Sequence, residues 1–290
     1  MKVILFGNIH QARKNLYVEA VVKKLRALGI GVWVESRFAR FITEQMGIDP
    51  DGLHVTDEIP TEADLALSMG GDGTFLGTAA RVGNTGLPIL GINPGHLGFL
   101  ADASPDCIDE ALEMLQQGAY KVEQHTLLEV SKDGQPLLTY PYALNEVAVL
   151  KHDISSLIEI RTLVNGELLA NYMADGLIVC TPTGSTGYSL SVGGPIIEPR
   201  SGSFCISPVA PHSLTSRPVI LCDDVEITLI VKSRSHNFLI SIDGRSDSYA
   251  DGTALTLRRA PYTIGVVKVK HQLFFDTLRE KMMWGLGGRT

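Results

Sequence analysis

Residues Met69 to Phe75 read Met-Gly-Gly-Asp-Gly-Thr-Phe, placing one carboxylate, Asp72, among Gly70, Gly71, Gly73 and Thr74. Glycine-rich turns that follow a strand cradle phosphates with bare backbone N–H groups. A carboxylate about 4 Å from a phosphate oxygen costs about 4 kcal/mol at an effective dielectric of about 20, so Asp72 must have another task. Two tasks fit: holding a divalent cation that bridges to phosphate, or accepting the proton of an attacking hydroxyl. Both are phosphoryl-transfer chemistry. A helix cap is the plain structural alternative, and the glycines exceed what a cap needs. Gly71 to Gly77 also reads as G-x-G-x-x-x-G. That is a weak dinucleotide fingerprint, because it falls outside the first strand-turn-helix unit and sets Asp72 against the pyrophosphate.

The second signal is Asp175 to Pro195, in which six serine or threonine hydroxyls and four glycines lie between Thr181 and Gly194. A polyhydroxylated, phosphorylated ligand needs such a density of short hydrogen-bonding groups. A polar hairpin is the structural alternative. Asn93 to Leu100 carries His96 and Phe99; glycines let the loop approach a ligand, and Phe99 is either a stacking ring or a core residue. Asn145-Glu146 pairs an amide with a carboxylate, suited to a base and a ribose, or simply ends a strand in water. Arg245, Arg258 and Arg259 are candidate phosphate contacts. No G-x-x-x-x-G-K-[ST], G-x-S-x-G or H-E-x-x-H run occurs, which excludes a P-loop, a nucleophile elbow and a zincin helix.

The elements that must position these groups change character along the chain. Over the first 120 or so residues, short buried strands (Val3 to Phe6, Gly31 to Val34, Leu65 to Met69, Pro88 to Ile92) alternate with helical spacing at Leu16 to Leu28, from about Phe75 to Val82, and at Cys107 to Gln117. That alternation predicts a Rossmann-like α/β domain with a parallel sheet, whose ligands bind at the carboxyl ends of the strands. After Tyr120, short β-rich runs are punctuated by Asp133-Gly134, Asn165-Gly166, Asp243-Gly244 and Asp251-Gly252, which predicts a mostly antiparallel all-β domain. The last stretch predicts a strand at Val266 to Val269 and an amphipathic helix through Phe274, Phe275, Leu278, Met282 and Met283. The expected division is 1–125, 126–264 and 265–290, the last packing back on the first domain or on another subunit.

Composition limits the partners. The chain has 290 residues, 44% hydrophobic and 20% charged, with a formal net charge of -7, which argues against a nucleic-acid or anionic-membrane partner. Cys107, Cys180, Cys205 and Cys222 have neither zinc-site nor disulfide-framework spacing and read as ordinary thiols. The first apolar run is too short for a signal peptide, so a cytoplasmic protein is expected.

Taken in this order and spacing, GGDGTFLG at 70 to 77, GHLGFL at 95 to 100, Asn145-Glu146 and DGLIVCTPTGSTGYSLSVGGPI at 175 to 196 resemble the NAD kinases of bacteria. The GGDGT run alone is shared with diacylglycerol and sphingosine kinases; the serine- and threonine-rich segment is far more specific. The likeness runs from the first strand to the Lys281-Met-Met-Trp284-Gly285 ending. It implies transfer of the ATP γ-phosphate to the 2′-hydroxyl of the adenosine ribose of NAD, with a divalent cation, magnesium, and a homodimer or homotetramer. By position it implies Asp72 as proton acceptor and Gly73 as a backbone contact to NAD. Asn145 and Glu146 would bind adenine and ribose, Asp175 would bond the nucleotide, and Phe99 would lie near the adenine. Thr186, Gly187, Tyr188, Ser189, Leu190 and Ser191 would line the NAD pocket, with Ala210 as a small pocket residue. Two positions depart from the family pattern: Gly187 replaces a frequent alanine, and Arg245 replaces a frequent glutamine, from where it could reach a phosphate. A GGDGT-type lipid kinase and a non-catalytic dinucleotide sensor are the rival functions.

Overall fold

The computed structural model describes residues 1–9, 16–93, 98–101, 103, 108–153, 156–269 and 274–283. Pro94 to Leu97 with His96, Cys107, Trp284 and Gly285 therefore lie outside the described residues. The chain divides into two compact units, Met1–Gln124 with Ile264–Thr290, and His125–Thr263.

The first unit is built on strands β1 (Lys2–Gly7), β2 (Gly31–Glu35), β3 (Leu53–Thr56), β4 (Leu65–Met69) and β5 (Ile89–Ile92), with helices α1 (Leu16–Ala27), α2 (Ser36–Glu44), α3 (Asp72–Val82) and α4 (Ile108–Gln116). All strand pairings of these five are parallel, in the order β5-β4-β1-β2-β3. The burial follows from the sequence: β4 and β5 are apolar runs without alternation and are buried at every residue, as strands covered on both faces must be. Valines and leucines of β1, β2, β4 and β5 share one core with Val18, Val21, Val22 and Leu25 of α1, Phe38 and Ile42 of α2, and Leu112 of α4. Helix α1 carries Glu19 in its first turn and Lys24 and Arg26 in its last, which suits the helix dipole. Gly29, at φ 66°, provides the left-handed turn that ends it. Helix α2 is opened by Glu35, whose carboxylate accepts the Phe38 N–H at 2.9 Å. The register aligns Gly7 with Met69 and Met69 with Ile92, so β1, β4 and β5 end at one edge.

The second unit contains β6 (Lys121–Lys132), β7 (Gln135–Pro136), β8 (Tyr142–Ala143), β9 (Glu146–Lys151), β10 (Ile158–Val164), β11 (Glu167–Ala174), β12 (Gly176–Cys180), α5 (Tyr188–Ser191), β13 (Ser203–Val209), β14 (Val219–Cys222), β15 (Ile227–Lys232), β16 (Asn237–Ile242), β17 (Arg245–Ala250) and the start of β18 (Ala254–Lys268). An antiparallel sheet runs β14-β13-β12-β9-β16-β17, and a second carries β11-β10-β15-β18 with β6 beside it. Alternating residues of both sheets, among them Val147, Val149, Leu177, Val179, Phe204, Ile227, Leu229, Val231 and Leu257, form one core. The intervening residues of the first sheet, Ala148, Ile178, Cys180 and Cys205, face the other way, under Ile197. Helix α6 (Phe274–Met282) closes the described chain.

Three expectations change. Helix α3 begins at Asp72 rather than near Phe75, because Gly71 at φ -78° and ψ -173° serves as its N-cap and the acidic Asp72 enters the first turn. The strand expected at Val266 to Val269 is the end of the long β18, Ala254–Lys268, which passes through Pro261 without a break. Helix α2 and strand β3 answer to no element read from the sequence.

Candidate active site

The first group of candidate residues lies at the carboxyl edge of the parallel sheet. The Gly70 N–H donates to the Ile92 carbonyl at 2.9 Å, which fixes the turn after β4 to the end of β5. Asp72, half-buried, accepts the Phe99 N–H on Oδ2 at 3.0 Å and the Leu100 N–H on Oδ1 at 3.2 Å. Both oxygens are thereby oriented, and each keeps a second lone pair. Glycine is required at two neighbours for steric reasons. A Cβ on Gly98 would sit 2.4 Å from Asp72 Oδ1, and one on Gly70 would sit 2.3 Å from Thr74 Oγ1. Gly71 and Gly73 differ: among the described residues, a Cβ on either would meet no atom within 4 Å beyond its chain neighbours and the backbone of its own helix. The fold leaves open space above these two residues. At the start of α3 the Thr74 and Phe75 N–H groups both donate to the Gly71 carbonyl, at 2.9 and 3.1 Å, and the N–H groups ahead of them have no intrahelical partner, as at any helix start. Phe99 is partly buried, consistent with neither a full core role nor a free one.

The second group lies in the β-rich unit, on the face of the six-stranded sheet turned away from its core. Thr181 and its neighbours do not form a polar hairpin. Thr183–Thr186 is a turn of 3-10 helix and Tyr188–Ser191 a turn of α-helix. Three of the six hydroxyls hold backbone. Thr181 Oγ1 donates to the Leu144 carbonyl at 2.5 Å, Ser185 Oγ donates to Pro182 O at 2.6 Å and accepts the Ile197 N–H at 3.0 Å, and Thr186 Oγ1 donates to Thr183 O at 3.2 Å. Ser189 is fully buried with its hydroxyl 3.0 Å from that of Ser207. The hydrogen-bonding surface read from composition is therefore smaller than the residue count suggested; Thr186, Gly187, Tyr188, Leu190 and Ser191 remain accessible.

Asn145 and Glu146 lie against this segment. The Thr181 N–H donates to the Asn145 carbonyl at 2.9 Å. A Cβ on Gly184 would fall 2.1 Å from Asn145 O, and one on Gly187 would fall 2.8 Å from Glu146 Oε2. Asn145 Oδ1 and Glu146 Oε2 are both buried and have no hydrogen-bond partner among the described residues. Adjacent buried acceptors without donors are costly unless a ligand satisfies them. Burial, with the nearby Asp243 carboxylate adding to it, pushes the Glu146 carboxyl up to about 7, against a smaller opposing effect of the Tyr188 N–H.

That shift makes stability depend on pH. The folded value lies above the ordinary one, so the fold is free of this penalty below about 4.5 and loses stability as pH rises through about 7. The loss is on the order of 3 kcal/mol at most. Replacing Glu146 by Gln removes the ionisation, so the melting temperature of Glu146→Gln should gain on that of the unaltered chain between pH 5 and pH 8. Parallel melting curves across that range would refute the buried-carboxylate account.

Of the remaining candidates, Asp175 and Ala210 come together, the Asp175 N–H donating to the Val209 carbonyl at 3.0 Å. Asp175 pairs with Lys151 Nζ at 2.6 Å. Ala210 is exposed at φ 44°, a left-handed conformation uncommon for a residue with a Cβ. Arg258 pairs with Glu129 at 2.8 Å and Arg259 with Asp223 at 3.3 Å. Arg245, the candidate phosphate contact, is held by the protein's own backbone. Its guanidinium donates to the carbonyls of Tyr140, Tyr142 and Ile242 at 2.9, 2.6 and 3.1 Å, and lies 4.9 Å from the centre of the Tyr140 ring. In the sequence, Asp243 reads only as a turn residue. Its carboxylate accepts the N–H groups of Leu144, Asn145 and Glu146 at 2.6, 2.9 and 3.0 Å. A turn aspartate has no local signature that separates it from a long-range acceptor.

Comparison with known proteins decides the family. Residues 3–120 match the ATP-NAD kinase N-terminal domain and residues 144–269 the ATP-NAD kinase C-terminal domain. The chain belongs to the NAD kinase family. An NAD kinase of Bacteroides fragilis is 53% identical over 289 residues, covering 100% of both chains. One of Porphyromonas gingivalis is 40% identical over 288 residues, covering 99% of each. Among solved structures, yeast NADH kinase complexed with NADH matches with a TM-score of 0.86 at 25% identity, covering 100% of this chain and 89% of its own. An NAD kinase from Archaeoglobus fulgidus in complex with ATP matches in fold, with a TM-score of 0.73 at 24% identity and coverage of 97% and 99%. This full-length likeness favours neither the lipid kinase nor the sensor. The α/β unit with its parallel sheet and the antiparallel β unit are the two domains of the family. No helix among the described residues is long and apolar enough to cross a membrane.

Proposed function

We propose that this chain transfers the γ-phosphate of ATP to the 2′-hydroxyl of the adenosine ribose of NAD, with Asp72 as the proton acceptor. The observation that carries the residue assignment is the pair of unsatisfied buried acceptors, Asn145 Oδ1 and Glu146 Oε2. An adenine amino group and ribose hydroxyls supply the donors these atoms lack. Thr186, Gly187, Tyr188, Leu190 and Ser191 line the dinucleotide; Ser189 contributes by holding its turn, and Asp175, Ala210 and Phe99 are assigned nearby contacts.

A ribose hydroxyl is a poor nucleophile at neutral pH. The Asp72 carboxylate, oriented by two backbone N–H groups, takes its proton as the new P–O bond forms and the bond to ADP breaks. The open backbone at Gly71 and Gly73 suits close approach of phosphate oxygens, helped by the N-terminus of α3. Thr74 completes that cradle, and Gly70 sets its turn.

Family members work with a divalent cation, and magnesium is the one proposed here. Among the described residues no group of three or more His, Cys, Asp or Glu side chains is placed to hold a metal. The free lone pairs of Asp72 fit an ion carried mainly by the triphosphate, the usual manner of magnesium. Such an ion would offset the repulsion between Asp72 and phosphate. The enzyme is proposed to work in the cytoplasm as a homodimer or homotetramer.

The test is ATP-dependent formation of NADP from NAD, read with an NADP-specific dehydrogenase. Product should accumulate with ATP, NAD and magnesium together. Binding of NAD without turnover would refute the kinase reading.

A further inference from the structure

The turn between β16 and β17 grips the segment that presents Asn145 and Glu146 from two sides. Asp243, largely buried and at φ 47°, accepts three successive N–H groups, those of Leu144, Asn145 and Glu146. Two residues on, Arg245 donates to the carbonyls of Tyr140 and Tyr142, a few residues earlier in the same segment, and lies over the Tyr140 ring. The anion takes the donors and the cation takes the acceptors. Arg245 also donates to the Ile242 carbonyl, which ties the guanidinium back to its own hairpin. The far side of the segment is held in turn, since the Tyr140 and Tyr262 hydroxyls lie 3.0 Å apart and the Tyr142 and Tyr262 rings meet edge to face.

Resting on the reading of Asn145 and Glu146 as the nucleoside-binding pair, we propose that Asp243 and Arg245 are positioning residues. Together they form a two-charge clamp that fixes the 140–146 segment and so sets affinity for the nucleoside part of NAD. Arg245 acts through backbone carbonyls, not through a phosphate of the ligand. Its fork spans two carbonyls that a lysine ammonium, a single point charge, cannot reach together.

The clamp also touches charge. The groups facing Glu146 are Asp243 from the β16–β17 turn, Cys180 directly across on β12, and the Tyr188 N–H from α5. Of these, Asp243 is the nearby anion that opposes Glu146 ionisation.

The experiment compares binding of NAD and of adenosine to the full chain and to Arg245→Lys, by calorimetry with competition for the weaker ligand. Adenosine lacks phosphate. The clamp predicts that Arg245→Lys weakens both ligands by the same factor, about tenfold, with faster hydrogen exchange in 140–146 than in the unaltered chain. A phosphate contact predicts weaker NAD and unchanged adenosine, and that result, or unchanged exchange, overturns the proposal. The Glu146 carboxylate, as acceptor of the ribose hydroxyls, should make NAD affinity fall as pH drops through about 7, and Asp243→Asn, where it folds, should move that lower limb downwards by about half a unit or more, because a neighbouring negative charge is gone. An unmoved limb counts against the clamp. Failure of the unaltered chain to bind adenosine while it binds NAD would overturn both the clamp and the nucleoside reading. Absence of NADP formation with both ligands bound and both clamp effects present would sink only the kinase reading.

Discussion

Asp72→Asn should lower kcat by about 10²- to 10⁴-fold, the range that general-base assistance supplies, while the KM for NAD changes far less. The substitution is nearly isosteric, yet it presents an NH2 group to one of the two backbone N–H groups that the carboxylate accepts, those of Phe99 and Leu100. One hydrogen bond is thus lost, a cost of about 1 kcal/mol, or a melting temperature lower by roughly 2–4 °C. Such a shift leaves the protein folded at assay temperature. The measurement is therefore steady-state kinetics alongside a melting curve. A kcat within tenfold of the unaltered enzyme, at that small melting shift, would remove the proton from Asp72.

Gly184→Ala is the second large effect, and it acts on the other unit. The added Cβ would lie 2.1 Å from Asn145 O and 2.4 Å from Asn145 C. Both are backbone atoms, so no rotamer change relieves the overlap. Overpacking of this sort costs about 1–3 kcal/mol or more, and the displaced residue is the one whose side chain is assigned to adenine. The expected result is a melting temperature lower by roughly 3–10 °C and an NAD KM raised at least about tenfold, with the KM for ATP much less affected. Gly187→Ala makes the control. There the Cβ meets Glu146 Oε2, the end of a side chain, at 2.8 Å and backbone only at 3.3 Å, so the melting temperature should fall much less; the control is for stability, since Gly187 and Glu146 are both assigned to the ligand. Equal falls in melting temperature for the two substitutions would contradict the steric argument.

The layout of the α/β unit was legible because its strands are short unbroken apolar runs, as at Leu65–Met69 and Ile89–Ile92, and its helices carry clear stops such as Gly29. Helix α2 was not, since Glu35 caps it through a side chain that resembles an ordinary strand end. In the β unit, turn dipeptides marked the hairpins well. The candidate site was legible where composition is unusual, at the GGDGT run and between Thr181 and Gly194. Composition does not separate ligand contacts from fold contacts where the same residue type can serve either. Ser185 and Ser189 hold backbone and a buried neighbour, and Arg245 holds carbonyls. Asp243 shows the converse, a long-range acceptor hidden in a common turn pair, because its partners lie about a hundred residues earlier in the chain.

The strand Ala254–Lys268 belongs to both units by its two ends: Leu255 and Leu257 pair with β15, and Val266 pairs with Ile89 of β5. The α/β unit is therefore interrupted in sequence, and the β unit is an insertion within it. On the ribosome, the inserted unit has all its strands in hand while the outer one still lacks the neighbour of β5. Folding of the unit that is first in sequence thus finishes last.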